Sequence, residues 1–297
     1  MARQAAWLAL VGWLLSCAAA TGAELIERSR HVWTGPGTDF GGFSALAVTG
    51  SGAGLWALSD RGVLFRAAVA RDGNGRITAI ETLSQLHLKD NHGKPVSGFT
   101  ADAEAMALAP DGSITIGFEG YVRIARFRPP DPMPEHLSDW DRFRDLWGNE
   151  AIEALAFSPT GGLLAILEVA GPDGSYATLT GAGDGDMLWR PGPPVPAGTG
   201  GFAAVDATFD GAGRLYLLER RHSFLSGFAT RVRRIAFAAG RFGASETLLL
   251  TAPGELDNME GISLWTDPDG QPMVTLIADD NFRAFQKTLI IDYALRE

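Results

Sequence analysis

The 297-residue sequence contains one cysteine, Cys17, and only three lysines, Lys89, Lys94 and Lys287. A lone thiol excludes any internal disulfide, so stability must come from packing. The five histidines (31, 87, 92, 136 and 222) show no ligand spacing, which argues against a zinc site. A formal net charge of −10 and a sequence pI near 5.0 oppose non-specific binding to nucleic acid or anionic lipid. After the N-terminal segment no apolar run approaches the roughly 20 residues that a membrane-crossing helix needs. Helical periodicity is almost absent. With 46% hydrophobic residues the chain can nevertheless build a substantial core, which excludes a disordered polymer.

The N-terminus, "MARQAAWLALVGWLLSCAAATGA", places Arg3 before an uncharged stretch and then small residues. This pattern predicts an export signal over residues 1–23, with cleavage after Ala20 or Ala23 and a mature domain over 24–297. "LLSC" at 14–17 also resembles a lipobox, in which case Cys17 would carry a lipid anchor. Either way the expectation is an exported protein of the periplasm or cell envelope, with no transmembrane span.

One pattern recurs five times: "FSALAVTGSGAGLWALSD" (43–60), "AEAMALAPDGSITIGFE" (103–119), "IEALAFSPTGGLLAILE" (152–168), "AVDATFDGAGRLYLLE" (204–219) and "MEGISLWTDPDGQPMVTLIAD" (259–279). Each is an apolar run, a Gly-rich turn and a second apolar run, the signature of a β-hairpin. Repeats measured from Ser44, Glu104, Glu153, Val205 and Glu260 are 49 to 60 residues apart. Such spacing predicts an all-β fold, a single β-propeller of five visible four-stranded blades, with six still open. The last blade lacks a strand, and "ELIERSRHVW" (24–33) is expected to supply it. The stretch 129–147 is expected to be an irregular excursion with a short amphipathic helix around Leu137, Trp140, Phe143 and Leu146, replacing an outer strand.

Residues equidistant from a hairpin turn lie at the same end of the hairpin. That rule pairs Glu104 with Glu119, Glu153 with Glu168, Glu260 with Asp279, Ser44 with Asp60 and Val205 with Glu219. Each hairpin would carry its carboxylates at its open end, and the inner strands of a propeller line the axis. Asp60, Glu104, Glu119, Glu153, Glu168, Glu219, Glu260 and Asp279 are therefore expected around one mouth of the channel. Carboxylates so crowded repel one another and call for a cation, and an all-oxygen set suits a hard divalent ion, Ca²⁺ first. Glu260, Glu153 and Glu104 are the candidate catalytic carboxylates.

Arginines interleave with these acids, notably Arg61, Arg220, Arg221 and Arg283, with His222 beside them. They either pair with the ring and stiffen it, or hold a small anionic ester substrate by its oxygens. No G-x-S-x-G occurs, so a serine nucleophile is not indicated.

"LSDRG" (58–62), "DAEAMALAPDG" (102–112), "NEAIEALAFSPTG" (149–161), "LLERRHSFLSGFATRVRR" (217–234), "DNMEGISLW" (257–265) and "DDNFRAFQKTLIIDYAL" (279–295) together resemble the phytase-like propeller proteins, the bacterial family described by an esterase-like activity of phytase. The resemblance implies a β-propeller and hydrolysis of phosphate or related esters. The reading is a monomeric, metal-assisted ester hydrolase acting at the acidic mouth. Two alternatives stand beside it: a non-catalytic envelope scaffold with a structural Ca²⁺, and a lactonase-like propeller esterase.

Overall fold

A computed structural model describes residues 22–138, 141, 143, 152–159, 161–182, 188–283 and 285–297. The export segment up to residue 21, Cys17 and most of the helix expected near Trp140 and Leu146 lie outside these residues.

Five antiparallel sheets follow one another in the chain. The first blade holds β2 (Phe43–Thr49), β3 (Gly54–Ser59), β4 (Val63–Arg71) and β5 (Ile77–His87). The second holds β6 (Ala103–Leu108), β7 (Ile114–Phe118), β8 (Arg123–Phe127) and β9 (Pro134–Ser138). In the third, β10 (Ile152–Phe157), β11 (Leu163–Ala170) and β12 (Ser175–Gly181) are followed by two fragments, β13 (Arg190–Pro191) and β14 (Val195–Pro196), both paired with β12. The fourth holds β15 (Ala203–Phe209), β16 (Leu215–Ser223), β17 (Gly227–Ala238) and β18 (Arg241–Leu250). The fifth holds β19 (Met259–Thr266), β20 (Pro272–Ala278) and β21 (Leu289–Arg296), and β1 (Glu24–Val32) is its outermost strand.

The first strands of the blades pack in a ring, β2 against β6, β6 against β10, β10 against β15, β15 against β19 and β19 back against β2. This is a five-bladed propeller closed by its N-terminal strand. The segment 129–147 does not replace an outer strand, because Pro134–Ser138 forms that strand as β9. The proline-rich run 190–201 supplies the fourth position of the third blade in two pieces, since prolines cannot donate to a continuous ladder.

Five apolar clusters hold the ring, each shared by two neighbouring blades. The seam between the fifth and first blades buries Phe43, Phe65 and Ile277, with Trp33 stacked on Phe43 at 4.9 Å between ring centroids. Burying a side chain of this size stabilises the fold by about 1.5–3 kcal/mol. Gly261 lets β19 approach β2, because a Cβ there would sit 3.0 Å from the Cα of Ala45.

Every inner strand carries an irregularity at the same place. Ala103 faces Phe118 and Ala105 faces Gly117, so Glu104 is an extra residue with no partner across the hairpin. Ser44, Glu153, Val205 and Glu260 are the extra residues of the other four inner strands. The equidistance pairing of Glu104 with Glu119 and its counterparts is therefore corrected: a β-bulge offsets each pair. A bulge bends its strand and re-aims a side chain, here at the mouth end of all five blades.

Candidate functional site at the propeller mouth

The strand ends opposite the "PDG"-type turns converge on a cavity of about 590 Å³. Asp60, Glu104, Glu119, Glu153, Glu168, Glu260 and Asp279 line it, together with Arg220, Arg283 and His222. Three blades hold their second-strand carboxylate in the same way. The amide N–H groups of Asp60, Glu119 and Asp279 donate to the carbonyls of Gly42, Asp102 and Asn258, at 2.7, 2.8 and 2.8 Å.

Arg220, on β16, lines the cavity and ties its acids together. It donates to Glu260 and to the Asn258 side-chain carbonyl (2.8 Å), and its Nη2 lies 3.7 Å from Glu168. Asn258 in turn donates to Glu260 at 2.6 Å. Among the other carboxylates the help is weaker: a hydrogen bond with Glu104 and the charge of Arg123 favour the ionised Asp102, and the charge of Arg220 bears on Glu153. Carboxylate oxygens of Asp102, Glu104 and Glu119 all lie within 4.8 Å of one another. Glu153, only 8% exposed, has no hydrogen bond or ion pair among the described residues.

The proton affinities follow from this crowding. Burial first, then the charges of Glu168 and Glu119, pushes Glu153 up to about 8. Burial and the neighbouring Glu153, Asp102 and Glu119 hold Glu104 well above the ordinary carboxylate range. Burial raises Glu119, with Asp102 and Glu168 adding to it. Asp60 rises to about 6 through burial and the charge of Asp279, and burial takes Asp279 to about 6 as well. A divalent cation on an oxygen set would relieve this repulsion. The donor chemistry fits a hard ion, with oxygens of Asp102, Glu104 and Glu119 drawn together and Glu153 beside them.

The remaining expected residues lie elsewhere. Glu219 is wholly buried outside the cavity, gripped by Arg231 (Nε at 2.6 Å) and Arg233 (Nε at 2.7 Å) and accepting the Tyr176 hydroxyl at 3.0 Å. It is a structural anchor. Arg61 stacks on the Phe282 ring at 3.4 Å and donates to the Thr38 carbonyl. Arg221 donates to the Gly200 carbonyl. Both sit outside the cavity lining.

The sequence model of the phytase-like family, described as an esterase-like activity of phytase, matches residues 38–282. The chain belongs to this family. No curated protein matches it. Among solved structures, this phytase-like chain is similar to U3-55K at 11% identity and a TM-score of 0.45, with 89% of this chain and 98% of that one covered. It is also similar to the PQQ-bound aldose sugar dehydrogenase of Streptomyces coelicolor, at 12% identity and a TM-score of 0.43, with 90% and 98% covered.

Several lining residues of this phytase-like propeller carry no sequence signal of their own. Asn258, Asn281, Gln286, Phe228 and Gly42 join the cavity wall. The motif "DDNF" does have a physical reading once its loop is seen. Asn281 and Phe282 both adopt positive φ (48° and 50°), which is uncommon for residues with a Cβ. The Asp279 carboxylate accepts the Asn281 amide at 2.7 Å, and the Asp280 carboxylate accepts the amides of Phe282 and Gly42 at 3.0 Å. Asp280 is thus a backbone clamp, while Asp279 keeps its second oxygen near Asn258.

Proposed function

We propose that the mouth is a metal-assisted hydrolytic site for a small anionic ester, a phosphate ester first. The observation that carries this reading is Glu153, buried and without a hydrogen bond or ion pair among the described residues, beside the Asp102, Glu104 and Glu119 oxygens. Asp102, Glu104, Glu119 and Glu153 would hold the ion, Ca²⁺ by the hardness of its donors. When bound, such an ion polarises the ester oxygen and acidifies a water.

The chain's own residues supply the rest. Arg283 and His222, at the edge of the cavity, orient the anion by charge and hydrogen bonding. Asp60 and Asp279, with affinities near 6, are suited to take and return a proton close to neutral pH. Glu260 is already bound by Arg220 and Asn258, so it serves to position those two groups. Membership of a family described by ester hydrolysis supports the class of reaction. The basic and apolar N-terminal segment supports action outside the cytoplasm.

A phosphomonoester assay of the purified protein with Ca²⁺ and with chelator tests the reading. Turnover that chelator and Glu153→Gln each abolish, with the fold intact, is the expected result. Ca²⁺-induced thermal stabilisation without turnover would instead favour the scaffold reading, which the Arg220 knot supports by occupying Glu168 and Glu260.

A further inference from the structure

The fourth blade breaks the ring of acids. The first, second, third and fifth blades each bring a carboxylate to the cavity near the end of the second strand: Asp60, Glu119, Glu168 and Asp279. On the fourth, the equivalent Glu219 is buried with Arg231 and Arg233, and Arg220, His222 and Phe228 line the cavity in its place. His222 and Phe228 pair across β16 and β17 with ring centroids 4.7 Å apart, and the turn between them leaves Phe224 and Leu225 almost fully exposed. On the fifth blade the exposed Phe285 lies between the cavity-lining Arg283 and Gln286, with the Arg283 guanidinium 6.0 Å from its ring centroid. Two apolar footholds thus flank the cavity, on blades other than the one that carries Asp102, Glu104 and Glu119.

The charge of the cavity limits what can enter. Seven carboxylates line it against two arginines. With a divalent ion in place, which keeps its carboxylates ionised, an excess of negative charge remains. Arg220 is already engaged by Glu168 and Glu260. Arg283 forms no ion pair among the described residues, which leaves one lining arginine for one negative charge. Every further charge on a ligand meets the surplus carboxylates at short range and weakens binding. A phosphomonoester carries nearly two charges at neutral pH. A phosphodiester carries one, set between two organic arms.

We propose, resting on the hydrolytic reading of the mouth, that the cavity selects a phosphodiester, with its single charge on Arg283 and one organic arm against Phe228 and His222. The other arm runs toward Phe285. In hydrolysis the oxygen of water bonds to phosphorus while the bond from phosphorus to one alcohol oxygen breaks with its electron pair. The proton lost by the water ends on that departing oxygen, so the products are one alcohol and one phosphomonoester. The monoester sheds a further proton near neutral pH and gains a charge, so the acidic wall holds it less well than the diester. Release of the first product is thereby favoured over its further cleavage.

Calorimetric titration of the Ca²⁺-loaded full chain, in mildly alkaline buffer, tests the selection. Methyl phenylphosphonate mimics a diester with one charge, and phenylphosphonate is its doubly charged counterpart. The methyl ester should bind about tenfold more tightly, the factor expected for one added charge beside the surplus acids. Arg283→Gln should weaken the methyl ester by a similar factor, and Phe228→Leu should weaken it while leaving the ring-free dimethyl phosphate unchanged. In parallel, bis(para-nitrophenyl) phosphate should be cleaved faster than para-nitrophenyl phosphate, with the monoester accumulating. Equal or tighter binding of phenylphosphonate overturns the proposal, and turnover of para-nitrophenyl phosphate by the same protein would show that the hydrolytic reading holds without it. Tighter binding of the methyl ester with neither phosphate ester cleaved overturns the hydrolytic reading and keeps the mouth as a phosphodiester-binding site. Cleavage of para-nitrophenyl butyrate with no binding of either phosphonate overturns the proposal and assigns the cavity to uncharged carboxylic esters.

Discussion

Arg71 on β4 and Asp292 on β21 meet at 2.5 Å across the seam between the first and last blades. Asp292 is fully buried, and Thr275 donates to its other oxygen at 2.6 Å. The same economy holds for Glu219, which has two arginines, and for Asp206, which accepts the amides of Ala207 and Ile262 at 2.8 Å. Glu153 is the one buried carboxylate without such a partner among the described residues. That contrast, more than the number of acids at the mouth, is why the cavity is read as a cation site.

Glu153 should make the metal-free protein sensitive to pH. Its affinity is raised to about 8 in the fold against an ordinary value near 4.5. The folded state therefore holds the proton more tightly than the unfolded chain. The resulting stability is fully present below about pH 4.5 and is lost as pH rises toward 8, a change on the order of a few kcal/mol. Chemical denaturation of chelator-treated protein across that window should show the decline, and Glu153→Gln should remove its part of it, leaving the smaller decline that the raised Glu104, Asp60 and Asp279 contribute. A flat wild-type profile would contradict the assignment.

Arg220 would oppose an ion at the proposed site, because its charge bears on Glu153 as well as satisfying Glu168 and Glu260. Arg220→Gln should tighten Ca²⁺ binding severalfold by calorimetry while lowering the melting temperature of the metal-free protein. Weaker Ca²⁺ binding would show instead that the arginine shapes the ion site.

Glu219→Gln should be among the most damaging substitutions outside the cavity. It leaves Arg231 and Arg233 buried without their shared counter-charge. Removing one member of a buried ionic cluster costs about 3–5 kcal/mol. Urea unfolding measures this directly, and a loss within experimental error would show that the carbonyls of Pro196, Ala197 and Thr199 suffice for the two arginines.

Ala239→Asn should stabilise the protein. Ala239 and Gly240 join β17 to β18 with φ of 50° and 72°, the hand that two-residue hairpin turns require. Asparagine tolerates this region better than alanine, for an expected gain of about 0.5–1 kcal/mol. A rise of the melting temperature at unchanged cavity chemistry is the outcome to look for.

The ring was legible in the sequence because each inner hairpin combines two apolar runs with a glycine-rich turn, and because residues 24–33 had no other blade to complete. The offset at Ser44, Glu104, Glu153, Val205 and Glu260 was not, since an extra residue leaves the count of apolar positions unchanged. Glu219 looked like a mouth acid for the same reason as Glu168. Its fate is decided by Arg231 and Arg233 on the next strand, a pairing that spacing from the turn cannot reveal. Asp102 carries a weaker signal in the sequence than Glu104 because it precedes its strand, yet the close approach of Glu119 brings it into the oxygen cluster.

Pairing of β1 with β21 sets Glu24 against Arg296, residues 272 positions apart. Among the described residues the strand made first is thus the last to find its place. Until the C-terminal strand arrives, one flank of β21's future sheet is unmade and the leading segment stays available to other molecules. Any factor that holds this segment early would delay closure of the whole ring, and shortening the chain by a few residues at its far end would leave the beginning of the protein without a seat.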